Sequence, residues 1–220
     1  MLNPVVAIDG PAASGKSTVA RKLAAKLNFT YVDTGAMYRA FAWLALEKNI
    51  DLTDRAAVSA LVENTPFELT IGDGVIHMKL DGRDPAPFIR EERINAAVSK
   101  IAAIPELREK LVIEQRKLRV LAPLVMEGRD IGTVVFTDTV FKFFLDADPV
   151  IRAQRRQQQG QTDAVANRDQ ADTARAVAPL TKAADAILVD ATYDDAETIV
   201  GKVLNLCRER GLSAAKVDAL

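Results

Sequence analysis

The sequence predicts an α/β fold around a five-stranded, doubly wound parallel sheet, and three observations carry that prediction. The chain opens on PVVAID at 4–9, a short β-branched run of the kind buried on both faces, and a loop then leads into Lys16–Leu27, apolar at 19, 20, 23, 24 and 27. FTYVD at 29–33 and the helical pattern of Ala36–Lys48 repeat the unit, as expected of parallel strands joined by crossover helices. LVMEG at 124–128, VFKFFLDA at 140–147 and AILVDA at 186–191 supply three further strands.

Two excursions interrupt this frame. Leu52 to Ala122 separates the second and third strands and holds the one clear antiparallel signal. There FELTI and VIHMKL flank Gly72-Asp73-Gly74, a short loop able to supply positive φ for a hairpin. Helical patterns follow at about 91–103 and 105–122, the second opened by Pro105, whose fixed φ suits a first helical position. The other excursion, Arg152 to Arg175, carries RRQQQGQTDA with little apolar pattern and reads as a mobile surface loop. The expected organisation is a single domain over 1–220, with a core, a small insert at about 64–90 and a short lid at about 152–175. Trp43 stands in a predominantly apolar helical stretch and reads as core.

Composition narrows the function classes. With 220 residues, 49% of them hydrophobic, the chain can bury a substantial core. Twenty-nine basic against thirty acidic residues leave a net charge of −1, so no global field recruits nucleic acid or an anionic membrane, and any anion site must be local. The single cysteine, Cys207, excludes an intrachain disulfide framework and sits in the helical pattern IVGKVLNLCRER as a small buried filler. His77, the one histidine, has no second histidine or cysteine nearby to complete a zinc site. The start, MLNPVVAIDG, lacks the charged and apolar regions of a signal peptide, and no apolar run approaches the roughly 20 residues that span a bilayer. A cytoplasmic monomer is the expectation.

Directly after the first strand comes GPAASGKS, Gly10–Ser17, which matches G-x-x-x-x-G-K-[ST] in the strand-to-helix setting that gives the pattern its meaning. Its glycines let the backbone curl so that successive N–H groups face a phosphate, and the following helix adds its positive dipole end. Gly10, Pro11, Ala12, Ala13, Ser14, Gly15, Lys16, Ser17 and the adjoining Thr18 are therefore the candidate ATP-binding residues. Lys16 can reach the β and γ phosphates, and the Ser17 hydroxyl is the expected Mg²⁺ ligand. A GTPase switch is disfavoured, because the nearest approach to a guanine-reading N-K-x-D, Thr181-Lys182-Ala183-Ala184-Asp185, has the wrong first residue and spacing. A kinase needs a second site that holds its acceptor's charge beside the γ-phosphoryl group, so arginines are expected at strand ends and in a closing loop.

Those arginines are present. DTGAMYR places Asp33, Thr34 and Arg39 after the second strand, and EGRD places Arg129 after the third, where its guanidinium can fork onto two phosphate oxygens. A structural ion pair is the competing explanation for the Glu127 to Asp130 stretch. The 152–175 segment adds Arg152, Arg155, Arg156, Arg168 and Arg175 against three aspartates, a modestly basic lid.

Taken in order, IDGPAASGKS, VDTGAMYR, NAAVSKIA, GRDIGTVVF and RD-x-x-D-x-x-R-AVAPL resemble the bacterial-type cytidylate kinases across nearly the whole chain. The resemblance implies the phosphate-loop nucleoside monophosphate kinase fold, a three-layer arrangement with sheet order 2-3-1-4-5. It also implies MgATP-dependent phosphorylation of CMP and dCMP in pyrimidine nucleotide metabolism. Carried over by position, it implies that Arg39, Arg129 and Arg168 grip the CMP phosphate and that Thr34 and Asp172 lie near its sugar or base. Ser99, Arg108, Asp130 and Arg175 become the candidate readers of cytosine and its sugar. Chemistry agrees, since cytosine offers an amine donor beside two acceptors; Asp130 can accept where Arg108 donates. Lys16, Arg129, Arg152, Arg156 and Arg168 are the expected catalytic set, and Glu127 is a candidate organiser of Mg²⁺ waters. One departure stands out. Only eleven residues separate Arg156 from Arg168, and Ala171 and Thr173 occupy positions where many relatives carry arginine, which shifts weight for the transferring group onto 152, 155 and 156. Two other readings remain at this point: a kinase for another small metabolite on the same core, and a non-catalytic nucleotide sensor.

Overall fold

The computed structural model describes residues 2–158, 165–175 and 177–212. Its centre is a parallel sheet of β1 (Val5–Asp9), β2 (Thr30–Asp33), β5 (Leu124–Gly128), β6 (Phe141–Asp146) and β7 (Ile187–Asp190). These run in the order β2-β5-β1-β6-β7. Counting only these five strands, that order is the expected 2-3-1-4-5. The sheet nevertheless has seven strands, because the hairpin β3 (Phe67–Gly72) and β4 (Val75–Leu80) is annexed to its edge beside β2. The junction is slight: Tyr31 pairs with Val75, and the Tyr31 N–H donates to the Gly74 carbonyl at 2.8 Å. The hairpin turn is also tighter than expected, since Gly72 still pairs with Val75 and only Asp73 and Gly74 turn, at φ of 51° and 71°. Two successive positive φ values match the twist of the flanking strands.

Strand alternation divides the core into two layers. Val5 and Ala7 of β1, with Leu124 and Met126 of β5, face a cluster completed by α2 (Thr34–Glu47), α3 (Arg55–Asn64), α4 (Glu92–Ile101) and α5 (Pro105–Leu121). Val6, Ile8 and Val125 face the opposite cluster, completed by α1 (Lys16–Leu27) and α8 (Ala196–Glu209). The central strands are buried on both faces, so they read as continuous apolar runs. Trp43 is fully buried in the first cluster and Cys207 in the second. Aspartates at Asp33, Asp54 and Asp195 cap α2, α3 and α8 by accepting N–H groups in the first turn.

The 152–175 segment departs from the expected loop. α6 (Pro149–Gln158) and α7 (Val165–Thr173) are helices, and the intervening 159–164 lie outside the described residues. The apolar pattern is missing because the buried side of α6 is built from a cation: Arg152 is 8% exposed and donates to the Ala147 carbonyl at 3.0 Å and the Ala12 carbonyl at 3.2 Å. Among the described residues no helix is long and apolar enough to cross a membrane.

Candidate active site

The carboxyl ends of β1, β2 and β5 meet in register, with Ile8 and Asp33 both opposite Glu127. Loops leaving these ends enclose one cleft of about 380 Å³. Gly10 begins the first loop. A Cβ there would lie 2.1 Å from the Leu145 carbonyl oxygen, so no other residue fits. The loop ends at Gly15 in the left-handed region, φ 94°, and α1 then starts with no side-chain cap, leaving its first N–H groups available to an anion. Ala12, Ala13, Gly15, Ser17 and Thr18 line the cleft. Ser14 is buried, its hydroxyl without a partner among the described residues. Lys16 is 6% exposed and donates to the Pro11 carbonyl at 2.9 Å. Burial, with Arg129 adding repulsion, lowers its pKa from 10.5 to about 7.

The opposite wall is built from α2, α4, α5 and the loop after β5. Asp33 caps α2 through Oδ1, and its Oδ2 accepts from Arg39 at 2.9 Å and Arg90 at 2.8 Å. Burial alone would raise the Asp33 pKa, but these two guanidinium groups hold it below the usual carboxylate range. Thr34 is buried and donates to the Glu127 carbonyl at 2.8 Å. Glu127 accepts the Tyr31 hydroxyl at 2.9 Å. Farther along, Arg108 is ion-paired with Asp130, donates to the Ala102 carbonyl at 3.1 Å and lies over the Tyr38 ring at 5.6 Å. Burial pushes the Asp130 pKa up against the pull of Arg108 and Arg175. Ser99 lines this end of the cleft.

α7 closes the third side. Asp172 on α7 accepts from Arg129 Nε at 2.7 Å and pairs with Arg175 through its other oxygen, so one carboxylate ties α7 to the β5 loop. Arg156 lines the cleft. Arg152 does not; its guanidinium pairs with Asp169, and Asp169 Oδ1 accepts the Ala12 N–H of the phosphate loop at 3.0 Å. Arg168 lies on α7, with its side chain outside the described residues. Among the described residues the buried Arg39 Nε and Arg175 Nε have no acceptor.

Sequence reasoning missed several residues of this arrangement. Asp9, 5% exposed, accepts the Ile131 and Gly132 N–H groups at 2.8 Å each and thereby anchors the turn carrying Arg129 and Asp130. Burial raises its pKa to about 7. The aspartate before Gly10 was visible in IDG, but nothing local said where its oxygens go. Tyr38, Arg90 and Asn95 also line the cleft, and Arg90 lies in PAPFIREE, which has no periodic signal.

The oxygen donors suit a hard cation such as Mg²⁺: Ser17 is exposed at the start of α1, and Glu127 lines the same cleft. Among the described residues no group of three or more His, Cys, Asp or Glu could hold a metal.

Three comparisons bear on this cleft. The cytidylate kinase family model matches residues 6–209. The chain is 43% identical over 212 residues to a protein named cytidylate kinase from Carboxydothermus hydrogenoformans, covering 91% of this chain and 96% of that one. It is 43% identical over 213 residues to another so named from Pelotomaculum thermopropionicum, covering 91% and 94%. A solved unliganded sugar kinase from Janibacter sp. superposes with a TM-score of 0.51 at 11% identity, covering 97% of this chain and 98% of that one; this likeness concerns the fold alone.

Proposed function

The chain belongs to the cytidylate kinase family, and on that premise we infer that it transfers the γ-phosphoryl group of ATP to the phosphate of CMP and dCMP, giving ADP with CDP or dCDP. The observation that carries this reading is a single cleft with a phosphate loop on one side and Arg39, Arg129 and Arg175 on the other. Two polyanions can meet there only if their repulsion is neutralised, and positioning with charge stabilisation is nearly all that phosphoryl transfer asks of a protein.

Gly10 to Thr18 bind the ATP phosphates in this account. Lys16, reprotonated by them, neutralises charge at the β and γ positions. Ser17 would hold Mg²⁺, which when bound screens the phosphates and orients them. Arg39, Arg129 and Arg168 take the acceptor phosphate, and its arrival draws Arg129 away from Asp172. No general base is required, since the attacking phosphate oxygen is already ionised. Asp130 accepts the cytosine amine, Arg108 and Ser99 address its acceptor edge, and Asp172 and Arg175 face the sugar beside Thr34. Uracil would set a carbonyl against Asp130, a mismatch of about 1–3 kcal/mol for an unpaired buried group. Arg156 reaches the transferring group, while Arg152 must leave Asp169 before it can do so. The protein works as a soluble cytoplasmic monomer.

A coupled ADP-release assay with four acceptors tests the reading. CMP and dCMP should turn over well ahead of UMP and AMP; equal turnover of all four would refute the base-reading assignment, and ATP binding with no ADP release would refute catalysis.

A further inference from the structure

We propose that Arg152 and Asp169 act together as a positioning clamp on Ala12, which holds the Ala12–Ala13 peptide with its N–H turned toward the ATP phosphates. The proposal rests on the nucleotide-kinase reading above. Both main-chain polar atoms of Ala12 are taken: its N–H donates to Asp169 Oδ1 at 3.0 Å, and its carbonyl accepts from Arg152 at 3.2 Å. The two side chains are themselves ion-paired, which closes a ring around one residue of the phosphate loop. Arg152 is buried, and its Nε donates to the Ala147 carbonyl at 3.0 Å, so the residue that follows β6 helps to fix the guanidinium.

A trans peptide sets its carbonyl and its N–H on opposite sides. With the Ala12 carbonyl drawn to Arg152, which does not line the cleft, the Ala13 N–H is turned the other way, and Ala13 does line the cleft. Keeping it there takes a restraint. Ala13 has a φ of 57°, in the left-handed region, where the Cβ of any residue but glycine crowds the neighbouring carbonyl. Released, the alanine would return to negative φ by rotating that peptide, and the loop would lose a donor aimed at phosphate. α7 also carries Asp172, three residues from Asp169 and bonded to Arg129, so the clamp sets the phosphate loop in the same frame as an acceptor arginine. Arg152 thus works on the reaction through the loop, from where it stands.

The test pairs amide NMR of the full-length protein, titrated with a non-hydrolysable ATP analogue, with steady-state kinetics. In the wild type the Ala13 amide proton should move downfield as the analogue saturates, the signature of a hydrogen bond to phosphate. In Arg152→Ala and in Asp169→Ala that shift should be lost while the shift of the Gly15 amide remains. Each variant should lower kcat about 10²-fold, the scale of one misdirected oxyanion donor, and the double variant should be no worse than either, because the two side chains act as a unit. An arginine that left Asp169 to contact the transferring group would behave otherwise: Asp169→Ala would keep or raise kcat, while Arg152→Ala would lose on the order of 10³ or more. That pattern, additive losses in the double variant, or an Ala13 amide unmoved in the wild type would each overturn the proposal. The wild-type spectrum decides even where a variant does not fold. Analogue bound with Ala13 unmoved sinks the clamp alone, whereas no binding of the analogue would sink the functional reading itself.

Discussion

Binding of ATP should draw a proton from solvent at pH 8. In the ligand-free protein Lys16 has a pKa of about 7 instead of 10.5, because burial disfavours its charge and Arg129 repels it. That depression corresponds to on the order of 5 kcal/mol against the ammonium form, and at pH 8 it leaves about 90% of the side chain neutral. A polyphosphate in the loop reverses the balance by offering opposite charge at contact distance. The complexed lysine then returns toward its usual range, and each ATP bound at pH 8 should carry up to about 0.9 proton with it. Isothermal titration in two buffers of different ionisation enthalpy reads this number directly. At that pH the phosphates of ATP are fully ionised, so they neither donate nor accept. A binding heat independent of buffer, or net proton release, would refute the account of Lys16.

Further outcomes follow from other contacts. Lys16→Ala should abolish turnover while circular dichroism shows the fold intact. Arg108→Ala strands Asp130 in a buried position, and loss of one partner of such a pair costs about 3–5 kcal/mol, which a denaturant titration will detect as a lowered midpoint. Asp130→Ala should raise the KM for CMP or lower the CMP:UMP preference; unchanged kinetics for both would remove Asp130 from the site. Asp9 gives a pH signature. Its folded pKa of about 7 exceeds the unfolded 3.8, so the native state binds the extra proton between those values, and stability should decline as pH rises from about 4 to 7. Asp9→Asn should flatten that slope in thermal melts, and an unaltered slope would assign the pH dependence elsewhere.

The core was legible because its physics is local. Strands buried on both faces must be apolar runs, and a phosphate loop must be glycine-rich between strand and helix, so the five parallel strands and the first loop followed from spacing alone. The ordered motifs then supplied the strand order. What escaped depends on contacts between distant segments. The hairpin joins the sheet through one residue pair, Tyr31 with Val75, that no hydropathy pattern encodes. α6 and α7 hid because the contacts that tie them to the phosphate loop and to Arg129 come from Arg152, Asp169 and Asp172, which carry no hydropathy signal. α3 places three buried residues, Val58, Leu61 and Val62, in an excursion where the hairpin was the stronger signal.

The candidate site divides the same way. Residues whose role depends on type and strand-end position, such as Lys16, Arg39 and Arg129, could be singled out from sequence. Those that work by orienting another group could not. Asp9 grips two N–H groups more than 120 residues away, and Asp33 serves at once as helix cap and as the shared partner of two arginines. The EGRD stretch combines the two explanations weighed for it. Asp130 is ion-paired with Arg108 and Arg129 with Asp172, and both pairs line the cleft.

A crystal structure with CMP tests the central claim most directly, because it locates the acceptor phosphate. The phosphate should lie within hydrogen-bond reach of the Arg39 and Arg129 guanidinium groups, facing Lys16 across the cleft, with the Arg129 to Asp172 contact broken. CMP held with its phosphate away from both arginines, or Arg129 still bonded to Asp172 beside a filled site, would contradict it.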